Sequence, residues 1–88
     1  MPRPQAPYDL TATAGSSTVD IEWSGWSGVT YRVYRGDNNA GSGFTMIADG
    51  LSTTSYTDAP PSMGINYYYA TSINGFGESL PSNIAGPA

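Results

Sequence analysis

With 88 residues, a net charge of −4 and neither cysteine nor histidine, the chain is sized for one domain with one core, and it lacks disulfides, thiolate metal sites and the commonest catalytic base. Lysine is absent too, so Arg3, Arg32 and Arg35 are the only cations, too few for the basic stripe that nucleic acid requires, and the usual amine nucleophile is missing. No apolar run approaches the roughly 18 residues of a membrane span, and the first residues lack the charged and apolar regions of a signal peptide. Short alternating segments recur between turn signals with no apolar stripe at helical spacing, so the chain reads as all-β. Leu10 and Ala12 alternate with Asp9, Thr11 and Thr13; Val19, Ile21 and Trp23 alternate with Thr18, Asp20, Glu22 and Ser24. The third strand, Val29 to Arg35, turns Tyr31 and Val33 inward and Arg32 and Tyr34 outward, and a Gly/Asn-rich turn from Gly36 to Gly43 follows. Phe44 to Ala48 forms a fourth strand broken by Asp49-Gly50, and Thr53 to Thr57 a short fifth. A proline-stiffened corner runs from Asp58 to Gly64. Tyr67 to Ile73 and Ser79 to Ala85 then flank the connection Asn74-Gly75-Phe76-Gly77. The expected fold is a seven-stranded, two-sheet Greek-key sandwich with a core of Leu10, Val19, Ile21, Trp23, Tyr31, Val33, Ile47 and Tyr56.

The order of Leu10-Thr11-Ala12, Val19 to Trp23, Tyr31 to Arg35, Ser55 to Asp58, Gly64 with Tyr67-Tyr68-Tyr69, Asn74, Gly77-Glu78-Ser79 and Pro81-Ser82-Asn83 resembles the fibronectin type III domain, an immunoglobulin-like sandwich. The likeness covers residues 7 to 86. Tyr56-Thr57-Asp58 and the triple tyrosine are similar to its bacterial and phage branch, which serves in phage structural proteins and as an accessory module of secreted polysaccharide-degrading enzymes. The resemblance divides the chain into an extended Pro-rich arm at 1–7, the fibronectin type III domain at 8–86 and a tail at 87–88. One departure concerns the run from Tyr67 to Asn74, which is a residue shorter than the branch's usual spacing. Counting from Tyr67 turns Tyr67, Tyr69 and Thr71 inward; counting back from Asn74 turns Tyr68, Ala70 and Ser72 inward. The second count is preferred for the distal half, with a bulge near Tyr68 absorbing the difference, and the tyrosine of the buried corner hydrogen bond is left open.

Arg35-Gly36-Asp37 spells the tripeptide that integrin-type adhesion receptors grip. In the family's integrin-binding members it tips a long loop between the last two strands, whereas here it ends the third strand, where the family carries Arg anyway. It is therefore read as a strand end. Asp20 and Glu22 share one strand face about 7 Å apart, a spacing an inverting glycosidase could use, but a flat sheet face offers no cleft to desolvate either carboxyl. Asp37-Asn38-Asn39 offers oxygens to Ca²⁺ without the spaced, charged set of a true loop site. The resemblance brings the loops at Ser24 to Gly28 and Asn74 to Gly77 to one pole beside the N-terminus. Trp26 there is a lid over the core, an anchor for a protein, or a sugar platform shared with Phe76.

No nucleophile and base pair, metal cluster or phosphate cradle can be assembled, so no enzyme, cofactor or metal is expected. The expected function is a non-catalytic module docking onto a larger extracellular or virion protein assembly, as a decoration or attachment subunit, through Trp26, Phe76, Pro2, Arg3 and Pro4. An opening methionine without an export signal favours that reading. The alternative is a spacer or carbohydrate-associated accessory module of a secreted glycoside hydrolase or similar enzyme. Either places the protein outside cells or on a virion surface, with a protein assembly or a carbohydrate as partner and without nucleic acid or membrane insertion.

Overall fold

Val19, Ile21 and Trp23 turn to one side of β2 (Val19–Ser24) and are buried, while Asp20 and Glu22 on the other side stay exposed, the period of two that a half-wet strand imposes. The computed structural model describes residues 3–88, and its other strands are β1 (Tyr8–Ala14), β3 (Thr30–Gly36), where Tyr31 and Val33 repeat the alternation, β4 (Thr45–Leu51), β5 (Ser55–Asp58), β6 (Tyr67–Asn74) and β7 (Gly77–Glu78). The seven strands form two antiparallel sheets, one ordered β1-β2-β5 and the other β4-β3-β6-β7. No helix among the described residues is long and apolar enough to cross a membrane.

Between the sheets lie Leu10, Val19, Ile21 and Trp23 from the smaller and Tyr31, Val33, Tyr68 and Ala70 from the larger, with Ile47 and Tyr56 half-buried against them. Trp23 meets Tyr31 edge to face, ring centroids 5.5 Å apart. Each large side chain removed from water contributes roughly 1.5–3 kcal/mol, and without a disulfide this burial is the main stabilising term.

Four expectations need correction. The Asp49-Gly50 pair does not break the fourth strand. Between the β3 partners Tyr31 and Val33, β4 advances from Leu51 to Ala48, so it carries an extra residue there, and Gly50 takes the positive φ (67°) of a bulge. Nor is there a bulge near Tyr68. The β3–β6 register runs unbroken from Thr30 opposite Ile73 to Gly36 opposite Tyr67, so Tyr68, Ala70 and Ser72 all face inward on a single parity.

The seventh strand is Gly77–Glu78 rather than Ser79 to Ala85. Beyond Glu78 the chain still follows β6, but it advances three residues for every two of its neighbour, which no regular ladder tolerates. Ser79 N–H donates to Ser72 O (2.8 Å), Ser82 N–H to Ala70 O (2.8 Å), Ala85 bridges Tyr68, and Ala88 N–H donates to Asn66 O (2.8 Å). The β6 amides that this mismatch would orphan are accepted by serine hydroxyls, Ser72 N–H by Ser79 Oγ (2.8 Å) and Ala70 N–H by Ser82 Oγ (3.0 Å). Finally, 87–88 is no free tail. Ala88 is buried, and its main-chain oxygen accepts from Gly64 N–H and Asn66 N–H.

The first strand also bends. Asp9 sits in the left-handed region (φ 54°) at a register shift between Tyr8 and Thr11. Leu10 is bonded instead by the Asn83 side chain, which accepts its N–H and donates to its carbonyl, each at 2.9 Å. One amide thus stands in for a neighbouring strand and ties the smaller sheet to the C-terminal segment.

Candidate functional site

The tripeptide at the end of β3 is built into the scaffold. Arg35 Nη1 lies 2.7 Å from Asp58 Oδ2, and Asp58 is buried. The same oxygen accepts the Tyr68 hydroxyl at 2.8 Å, which makes Tyr68 the corner tyrosine. Burial, then the bond to Asp58 and its charge, push the Tyr68 phenol well above its ordinary range. Gly36 has a separate reason. A Cβ there would meet the Phe44 ring at 2.1 Å, because Phe44 crosses the strand at that point to stack on Tyr69 with centroids 5.0 Å apart. Asp37 opens a turn organised by Asn38, whose Oδ1 accepts Ala40 N–H (2.9 Å) and whose Nδ2 donates to Ser42 O (2.8 Å) and to Asp37 Oδ1 (3.2 Å). Oxygens spent this way leave little for Ca²⁺. Among the described residues no group of three or more acidic, His or Cys side chains is placed to hold a metal.

The outer face of the larger sheet carries a network that sequence reasoning missed. Arg32 Nε donates to Asp49 Oδ1 (3.0 Å) and Arg32 Nη1 to Glu78 Oε1 (3.2 Å), while the Tyr34 and Thr71 hydroxyls both donate to Glu78 Oε2. Burial pushes the Glu78 carboxyl up, but the bonds from Tyr34 and Thr71 and the charge of Arg32 outweigh it and hold the carboxyl below its usual range. Such a carboxylate is saturated with donors and is a poor proton acceptor. Beside it Tyr34 stacks on Tyr69 (4.8 Å, 27°), which in turn stacks on Phe44. The sequence signal was the outward parity of Arg32 and Tyr34; what it lacked was the strand order that sets Glu78 beside them.

On the outer face of the smaller sheet Asp20 and Glu22 are exposed, with Thr57 donating its hydroxyl to Asp20 at 3.0 Å. No cleft encloses the pair. A shallow depression of about 300 Å³ does open between Arg35, Asp37, Thr45, Ile65 and Asn66, yet it brings together no nucleophile with a base.

Trp26 is held by its main chain. The Tyr31 hydroxyl accepts Trp26 N–H (2.8 Å) and donates to Trp26 O (3.0 Å), and Gly25 leaves room for it, since a Cβ there would lie 2.0 Å from that oxygen. The indole is not a lid over the core. It is 41% exposed, lies 5.6 Å from the Tyr8 ring, and donates its Nε1–H to Ala6 O (3.0 Å). Phe76 stands 58% exposed on the two-residue turn between β6 and β7, where Asn74 Oδ1 accepts its N–H (2.8 Å). The registers Thr30 opposite Ile73 and Tyr8 opposite Ser24 set this turn, the β2–β3 loop and the start of β1 at one end of the sandwich. Trp26 nonetheless pairs with Tyr8, and no ring pair joins it to Phe76 among the described residues. Arg3 is exposed, Pro4 half-buried and Pro7 buried, and Pro2 lies outside the described residues.

No family model matches the chain. An amylopullulanase of Thermoanaerobacterium saccharolyticum is 36% identical over 70 residues, 78% of this chain and 5% of that protein. That of Thermoanaerobacter thermohydrosulfuricus is 36% identical over 83 residues, 91% of this chain and 6% of that protein. The chain therefore spans only a small part of the curated relatives it matches. The crystal structure of an Fn3-like protein from Clostridium thermocellum superposes with a TM-score of 0.83 at 30% identity, covering 93% of this chain and 88% of that one.

Proposed function

We propose, from the premise that this chain is a fibronectin type III-like domain, that it is a non-catalytic accessory module carried within a larger polysaccharide-degrading polypeptide working outside the cell. The observation that carries the reading is its likeness, over most of its length, to short segments of much longer amylopullulanases. A surface without lysine or cysteine and rich in Ser, Thr, Gly and Asn suits that location. The decoration or attachment subunit favoured by the sequence alone gains no support from these likenesses.

Within such a polypeptide the module spaces and orients its neighbours and leaves sugar contact to other domains. Tyr34 and Phe44 each stack on Tyr69 and the Trp26 ring tilts against Tyr8, so the exposed Trp26 and Phe76 rings do not form a paired platform for a sugar. Two measurements test this. Antibody raised against the domain should detect a species several times its size, bearing glycan-degrading activity, in the source culture. A free 88-residue species would refute the reading. In affinity electrophoresis through pullulan, soluble starch or xylan, the domain should migrate with a non-binding control; retardation lost in the W26A/F76A double variant would instead assign it a carbohydrate-binding role.

A further inference from the structure

Large exposed apolar side chains are unevenly spread over this domain. Those among the described residues are Tyr8, Trp26, Met46, Ile65, Phe76 and Leu80. Tyr8, Trp26 and Phe76 belong to the end where the arm, the β2–β3 loop and the β6–β7 turn meet. Leu80 joins them. Ser79 N–H donates to Ser72 O, one residue short of the Ile73 that faces Thr30, so the next residue, Leu80, lies near the same end.

The arm leaves beside Trp26 and Tyr8, and its root is fixed. Pro7 is buried, Ala6 O accepts the Trp26 indole N–H, and the Tyr8 ring tilts against the indole at 50°. The main chain of Trp26 is held on both its N–H and its carbonyl by the Tyr31 hydroxyl, a core residue, and the close approach at Gly25 leaves that loop no slack. Pro4 and Pro7 restrict the torsions on either side of the bonded carbonyl. A Pro-rich linker is a semi-rigid spacer; anchored at its root, it also has a direction.

Resting on the reading of the chain as part of a longer polypeptide, we infer that Trp26 is the orienting clasp of the N-terminal junction. It holds residues 3–7 so that the domain upstream is delivered in one orientation onto the apolar pole of Tyr8, Phe76 and Leu80. The occupant is the preceding domain of the same polypeptide, since the arm that would connect to it emerges at the same end of the sandwich.

A chain without cysteine accepts spin labels at chosen sites. With labels at R3C in the arm and T13C on the exposed face of β1, electron–electron resonance on the whole chain should give one narrow distance distribution. W26A should roughly double its width, as the arm reverts to a free linker. W26F, which keeps a ring against Tyr8 and loses the N–H, should widen it less. A wild-type distribution as broad as that of W26A, with both proteins folded by circular dichroism, overturns the clasp whatever the length of the natural polypeptide. The seat is read separately, by hydrogen exchange of Gly75 to Leu80, which should be slowed at least about tenfold in the longer natural polypeptide relative to the 88-residue chain. Equal exchange overturns the seat, and a natural polypeptide of only 88 residues overturns both the seat and the accessory reading while a narrow distribution upholds the clasp.

Discussion

At the scale of single residues, Arg35, Gly36 and Asp37 show how a recognisable tripeptide can be assembled from unrelated structural needs. Arg35 neutralises a buried carboxylate, Gly36 makes room for Phe44, and Asp37 opens a turn whose polar groups are satisfied by Asn38. A receptor would need the arginine and the aspartate projecting together, and the arginine is engaged elsewhere. The stability consequences differ accordingly. Removing Asp58 strands a partly buried guanidinium and the Tyr68 hydroxyl at once, so Asp58→Ala should cost about 2–4 kcal/mol, below the range for a fully buried pair because Arg35 keeps some contact with water. Asp37→Glu, at an exposed turn, should stay within about 0.5 kcal/mol of wild type. Urea melts of the two variants decide the matter, and equal losses would mean that the corner is not held by Asp58.

Among the elements, the C-terminal segment depends most on side chains doing the work of main chain. Ser82→Ala leaves the buried Ala70 N–H without an acceptor and should cost about 1–3 kcal/mol, with the Ala70 amide exchanging faster while β2 amides at Val19 and Ile21 remain protected. Unchanged exchange at Ala70 would show that water replaces the hydroxyl without loss. The same segment explains what could be read from the chain beforehand. β1, β2 and β3 were legible because each has one buried and one wet face, and alternation in Val19 to Trp23 or Tyr31 to Val33 reports that directly. The last segment was not, since its three-for-two advance along β6 is set by where Ser79, Ser82 and Ala85 find partners, and no periodicity records it. Asp49-Gly50 misled because the same dipeptide ends a strand or bulges one, and only pairing with β3 decides which. For the candidate surface, Trp26 and Phe76 were legible as residues off the alternating pattern, whereas the indole's bond to Ala6 depends on a loop shape fixed by the Tyr31 hydroxyl.

The whole molecule has charged and phenolic groups whose protonation is linked to folding in opposite directions. Glu78 and Asp49 are held below the usual carboxylate range, Glu78 by the Tyr34, Thr71 and Arg32 contacts that overcome its burial, Asp49 by the bonds from Arg32 and the Gly50 amide. A depressed carboxyl contributes stability that is complete above its unfolded value, near pH 4 for either type, and is lost as pH falls through the folded value. Tyr34, Tyr68 and Tyr69 are raised, chiefly by burial, so their contribution is complete below the unfolded value near pH 10 and is lost as pH climbs through the folded ones. With no histidine to titrate between them, stability should be flat from about pH 5 to pH 9 and fall on both sides. Glu78 is the partly buried member of the acid pair and Tyr68 the phenol with the largest shift, so each limb has one principal source. In urea melts taken across this range, Glu78→Gln should lower the plateau and flatten the acid limb, leaving the alkaline one in place. Tyr68→Phe should flatten the alkaline limb and leave the acid one in place, because the remaining hydroxyls are less perturbed. A stability maximum inside the plateau, or an acid limb as steep in Glu78→Gln as in wild type, would show that repulsion among the excess carboxylates or their protonation elsewhere governs the pH response, and that the outer-face network contributes little to holding the strands of the larger sheet together.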